Sequence, residues 1–177
     1  MAVEPEVLST LSDLFRSHGY EGASLSKISD ATGLVKASLY HRFPGGKEEM
    51  ADRVLDEVAR EFSTHVLAPI YEDGDLKEAG RRIQVFYDKG KLACLLDTLT
   101  LNSDDQPIRK HAAQCMEYWI ASFEKSARDA GWKNLEARRR AEDAVAAIEG
   151  ALILARVSGN RQPFQRAIES LPARLGV

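Results

Sequence analysis

The chain of 177 residues is short of several things. It holds two cysteines, six prolines and 7% aromatic side chains. Two cysteines cannot make a disulfide framework, so the fold must rest on a buried core, which a chain of this length can supply. No apolar run approaches the roughly 20 residues of a membrane span, so no membrane partner is expected. The start, Met1-Ala2-Val3-Glu4-Pro5-Glu6, puts no basic region before an apolar stretch and does not read as a secretory signal. A soluble protein of a reducing, cytoplasmic compartment is expected. The short motifs of catalysis are missing too: there is no phosphate-cradling glycine loop, no Gly-x-Ser-x-Gly elbow and no His-Glu-x-x-His. The expectation is that the chain is not an enzyme and needs no cofactor. His65 and His111 have no Cys or acidic partner at metal-ligand spacing and read as surface histidines, so no metal is expected.

Excess positive charge is also lacking. Lys and Arg number 24 against 27 Asp and Glu, a net charge of −3, which by itself argues against a nucleic-acid partner. Residues 1–60 carry seven basic and ten acidic side chains, and residues 61–177 balance at 17 of each. The finer distribution reverses that reading. Between Ser24 and Lys47 the formal charge is +3, with Lys27, Lys36, Arg42 and Lys47 against Asp30 alone. Glu48, Glu49, Asp52, Asp56 and Glu57 follow on a helix that can face away from a bound polyanion.

Nearly every segment has helical periodicity. Val7, Leu8, Leu11, Leu14 and Phe15 form one apolar stripe, with Gly19 suited to a C-cap. Ser24 or Ser26 caps a short helix carrying Leu25, Ile28 and Ala31, which ends near Gly33. Lys36 to about Phe43 is a third helix, broken by Pro44-Gly45-Gly46, and a longer one runs from Lys47 to about Val66, before Pro69. After a polar link at Tyr71–Asp75 come helices at Leu76–Lys89 and Leu92–Leu101, the second ended by Asn102-Ser103-Asp104-Asp105. Further helices are expected at Pro107–Ala130, Leu135–Val157 and about Pro163–Leu171, the last stopped by Pro172. The fold class is all-α with about nine helices. The expected division is a three-helix domain at 1–48 and a helical domain at 49–177, joined by a connecting helix at 47–66.

Two short helices joined by a turn containing Gly33 follow the helix-turn-helix plan, whose second helix enters the major groove with its N-terminal residues at base edges. That helix offers Lys36, Ala37, Ser38, Tyr40, His41 and Arg42. Small Ala37 permits close approach, Ser38 can donate or accept, and Tyr40 and His41 can reach the backbone. A helical hairpin that merely packs, with its polar face solvated, is the alternative.

Phe15-Arg16-Ser17-His18-Gly19-Tyr20, Ser24 through Leu34, Ser38-Leu39-Tyr40-His41-Arg42-Phe43 and Lys47-Glu48-Glu49-Met50 together resemble the TetR family of bacterial transcriptional regulators, over roughly residues 7–55. The resemblance implies phosphate contacts at Ser24 or Ser26, Tyr40, His41 and Lys47, and base reading at Lys36, Ala37 and Ser38, with Lys27 and Arg42 completing the basic surface. Three residues separate Phe43 from Lys47 where many members have two, Ala37 stands where Gly is frequent, and Arg42 where His is frequent. The family pattern further implies a homodimer on a palindromic operator and an effector held by the middle helices.

The second domain allows both roles. Residues 141–155 are apolar on more than one face, so one face can cover the core while another meets a second copy. Val145, Ile148, Leu152 and Ala155, with Phe164 and Ile168, are the candidate dimer interface. Phe86, Cys94, Asp97, Tyr118, Trp119 and Phe123 are the candidate effector site. Tyr71, Tyr87 and Trp132 are further aromatics, and Thr98, Thr100 and Asn102 further polar groups. Cys94 raises a redox-sensing alternative, although its apolar context favours an inert thiol. Arg138-Arg139-Arg140 reads as a solvated face. The expected function is a ligand-responsive repressor; a helical interaction or ligand-binding module that does not bind DNA is the alternative.

Overall fold

A computed structural model describes residues 4–101 and 106–177 and contains no strand among them. The expected all-α architecture is what is found. The helices are α1 (Glu4–Gly22), α2 (Leu25–Thr32), α3 (Lys36–Arg42), α4 (Gly46–Glu61), α5 (Ala68–Glu72), α6 (Leu76–Phe86), α7 (Leu95–Thr100), α8 (Gln106–Asp129), α9 (Asn134–Ser158), α10 (Gln162–Glu169) and α11 (Leu171–Leu175). The expected stop at 102–105, with the candidate polar group Asn102, lies outside the described residues, as do Met1–Val3.

Two compact units form. The first contains the described residues of Met1–Ala59 and Leu95–Gln114, and the second those of Arg60–Cys94 and Cys115–Val177. Val7, Leu11, Phe15, Ile28, Leu39, Phe43, Met50, Val54, Leu55, Leu99 and Ile108 are among the side chains in the first unit's core. Gly19 sits at φ 67° within α1, and a Cβ there would come within 3.2 Å of the Thr98 carbonyl, so glycine is needed twice over.

Proline placement departs from the sequence reading in two places. The helix expected to stop before Pro69 continues through a π-helical stretch, Phe62–Leu67, into α5, where Pro69 occupies the first turn. Proline has no N–H, so it cannot bond the carbonyl of His65 four residues back. The Arg82 guanidinium donates to that carbonyl instead, at 3.1 Å. Pro172 likewise does not end the last helix; it lies in the first turn of α11, after α10 has ended at Glu169. Asp75, expected as part of a link, caps α6 by accepting from the Lys77 and Glu78 amides at 3.0 and 2.9 Å.

Candidate nucleic-acid interface

The turn between α2 and α3 is held by local bonds. Ser24 is the N-cap of α2 and its hydroxyl accepts from the Lys27 amide at 3.3 Å. Gly33 is left-handed at φ 68° and ends α2. Ser29 Oγ donates to the Leu34 carbonyl at 2.6 Å, and Thr32 Oγ1 donates to the Ile28 carbonyl at 2.7 Å. With Ile28, Leu39 and Phe43 buried, these bonds fix where α3 leaves the unit and which face it shows.

The candidate residues on α2 and α3 differ in how far they reach the surface. Ser24, Ser26, Lys27, Lys36, Ala37, Tyr40 and His41 are exposed, while Ser38 and Arg42 are half-buried. Lys27 Nζ donates to the Gly22 carbonyl at 3.0 Å. Lys47 is more committed than a free phosphate contact: its Nζ donates to the Tyr20 carbonyl at 3.0 Å and lies 4.2 Å from the Tyr20 ring centre. It therefore ties the start of α4 to the end of α1. The loop ahead of it is closed by Glu49, whose carboxylate accepts from the Gly45 amide at 2.7 Å. Sequence reasoning passes over Val35. It is the N-cap of α3, a position that favours Ser, Thr, Asp or Asn, and it supplies no capping hydrogen bond.

His111 is a correction. It is not an isolated surface histidine: Nδ1 lies 2.6 Å from an Asp52 oxygen and Nε2 lies 3.3 Å from an Asp56 oxygen, one carboxylate on each side of the ring. The spacing of four residues on α4 is visible in the sequence, but only the fold brings α8 to it. Among the described residues no cluster of His, Cys, Asp and Glu could hold a metal ion.

The candidate effector residues divide between the units. Phe86, Trp119 and Phe123 belong to one aromatic cluster in the second unit, centred on Phe62, a residue the sequence reading does not select. The Phe62 ring centre is 5.0 Å from that of Phe86 and 4.9 Å from that of Trp119, which lies 6.0 Å from Phe123. Trp119 Nε1 is buried and has no acceptor among the described residues. Tyr118 turns outward and stacks on Tyr71 at 6.3 Å, and its hydroxyl accepts from Ser63 Oγ at 3.3 Å. Partial burial pushes the Tyr71 phenol above its ordinary range, although a bond to Ser122 Oγ at 2.9 Å opposes the shift. Asp97 is exposed on α7 in the first unit. Cys94 is only 3% exposed, which removes the accessible setting a reactive thiolate needs.

The dimer candidates are also corrected. Val145, Ile148, Leu152, Ala155, Phe164 and Ile168 are all buried within a single chain. They hold α9 and α10 in the second unit's own core and offer no surface to a second copy. The outward face of α9 instead shows Ala146, Gly150, Ile153, Leu154 and Val157. The triple arginine is paired rather than merely solvated. Arg138 bonds Glu117 at 2.8 Å and Glu142 at 2.6 Å, which hold its guanidinium well above its ordinary pKa. Arg140 lies 3.6 Å from the Trp132 ring centre.

Comparisons with known proteins bear on the family and the fold. Residues 7–54 match the family described as bacterial regulatory proteins, tetR family. Residues 84–170 match the C-terminal domain of LmrA/YxaF-like transcriptional regulators. The HTH-type transcriptional regulator LmrA of Bacillus subtilis is 26% identical over 176 residues, covering 94% of this chain and 93% of its own. A TetR transcriptional regulator from Legionella pneumophila superposes with a TM-score of 0.85 at 21% identity, over 98% of this chain and 97% of its own. The regulator CifR, crystallised as a cysteine mutant with a 26 bp operator duplex, superposes with a TM-score of 0.78 at 18% identity, over 98% and 95%. These relatives are transcriptional regulators rather than enzymes, and the chain belongs to the TetR family of bacterial transcriptional regulators.

Proposed function

We propose that this regulator is a homodimeric repressor that binds a palindromic operator through α3 of each protomer and is released by a small molecule held in its second unit. One observation carries the reading: α3 buries Leu39 and presents Lys36, Ala37, Tyr40 and His41 outward on the one stretch of the chain's first sixty residues with a clear positive excess. The operator duplex bound by CifR supports double-stranded DNA as the partner. A chromosomal operator implies a cytoplasmic protein.

The outer face of α9 supports the pairing of two copies. Its small residues let a second helix approach closely, and the adjoining groove of about 660 Å³ is lined by Ala146, Gly150, Leu154 and Arg166. Two-fold pairing sets the recognition helices one DNA turn apart, about 34 Å, or a multiple of it. The aromatic cluster supports the effector site. Trp119 Nε1 is a buried donor with no acceptor among the described residues, beside rings that suit an apolar body. An effector that prefers the conformation with mis-spaced recognition helices weakens operator binding, and the operator weakens effector binding by the same factor.

Footprinting over the chain's own promoter region tests this: protection of a palindrome at moderate salt is expected, and absence of protection overturns the reading. Tyr40→Ala weakens binding to every sequence, roughly tenfold, because a phosphate contact carries no base information. Changes at Lys36 or Ser38 shift the preferred sequence, and unchanged preference in those variants overturns the assignment of roles.

A further inference from the structure

Val35 is 66% exposed on the surface that carries the recognition helix. Its backbone, at φ −67° and ψ 153°, is that of an N-cap, and its carbonyl accepts from the Leu39 amide at 3.1 Å, so its place at the head of α3 is fixed. Nothing about folding calls for valine there. It packs against no core, and it cannot provide the side-chain bond to an orphan amide that a serine or aspartate supplies. A bulky aliphatic group in that position breaks two local rules at once, and such breaches are characteristic of functional positions. Its neighbours Lys36, Ala37, Tyr40 and His41 are exposed with it, so it stands within a polar, positively charged face.

In the major groove each base pair shows a pattern of donors and acceptors, and one apolar feature, the thymine C5-methyl. An exposed branched aliphatic side chain at the N-terminal end of a recognition helix matches that feature and none of the others. We propose that Val35 is a specificity-determining residue that reads a thymine methyl in each operator half-site. The assignment rests on α3 being the recognition helix. Burying one methyl-sized group against another amounts to about a fourfold change in affinity per half-site, and about sixteenfold when both halves of a palindrome are altered together.

The test uses the full-length chain and a duplex selected by the wild type from a randomised pool. Each symmetric pair of thymidines is replaced in turn by deoxyuridine, which lacks only the methyl. Wild type loses about sixteenfold at one such pair, whereas Val35→Ala and Val35→Ser bind the thymidine and deoxyuridine forms equally there and respond like wild type elsewhere. Val35→Ser supplies a better cap, so its melting temperature is unchanged or raised, which separates lost recognition from lost folding. A wild-type discrimination that survives in Val35→Ala at every position overturns the proposal. So does a loss of affinity in the variants that is the same on both forms of the duplex, because that marks a structural role. If the pool yields no duplex at all, the recognition-helix reading itself falls, an outcome distinct from either of these.

Discussion

Helices α3 and α9 pose the same problem to a reader of sequence and have opposite answers. Each has a buried face and an outward one. In α3 the outward side chains are mostly polar or small, so the buried Leu39 identifies the inward side without ambiguity. In α9 the outward face holds Ala146, Gly150, Leu154 and Val157, as apolar as the inward Ala144, Val145, Ile148 and Leu152. Periodicity finds such a helix but cannot set its rotation over 144–155, because Glu149 is the one polar side chain there to measure against. That is why sequence reasoning draws its interface candidates from the buried face of α9 and its recognition surface from the exposed face of α3.

The largest expected effect puts the two faces of α9 against each other. Leu152→Ala removes a fully buried side chain and costs about 3 kcal/mol of stability, lowering the melting temperature by on the order of 10 °C for a chain of this size. Leu154 is 55% exposed, so Leu154→Glu leaves the protomer's stability nearly unchanged. On the proposed pairing, it splits the dimer in sedimentation and abolishes operator binding. If Leu154→Glu unfolds the chain while Leu152→Ala is silent, α9 turns Leu154 rather than Leu152 toward the core.

Legibility follows the range of the contacts involved. The cap at Ser24, the break at Gly33 and the short helix before Pro44 are local events, and local chemistry announces them. What depends on distant partners is not visible. Pro69 reads as a stop because nothing near it in sequence supplies the donor that Arg82 brings to His65. Phe62 does not stand out because its aromatic neighbours lie more than twenty residues away. His111 looks unpartnered because its two aspartates are on another helix. Val35 fails to register for a different reason, since an exposed valine is informative only once its exposure is known.

A smaller effect tests whether the reading surface depends on local bonds. Ser24→Ala removes the side-chain cap of α2 and costs about 1 kcal/mol. Ser24 is also a candidate phosphate contact, so cap loss and contact loss must be separated. Ser24→Asp retains a capping oxygen but adds negative charge. Chemical denaturation finds Ser24→Asp near wild type in stability, while a salt titration of DNA binding finds it weaker than wild type. If Ser24→Asp binds DNA as tightly as wild type, Ser24 acts as a cap and touches no phosphate.

The smallest effect belongs to the second unit and to a longer-range brace. Glu78 accepts from Arg81 Nε and from Arg82 Nε, both at 2.7 Å, and Arg82 reaches on to the His65 carbonyl. Bonds from Arg81 first and Arg82 second hold the Glu78 carboxyl at about 2, below the ordinary 4.5. A carboxyl depressed on folding stabilises the native state above its unfolded value, and the contribution disappears as pH falls through the folded value. The melting temperature of Glu78→Gln therefore lies slightly below wild type at neutral pH, and the gap closes between about pH 5 and pH 2. The site is open to solvent, so salt narrows the gap as well. A gap that stays constant over that range would show that the ion pair is not what orients Arg82. The His65 carbonyl would then owe its donor to the packing of α6 alone.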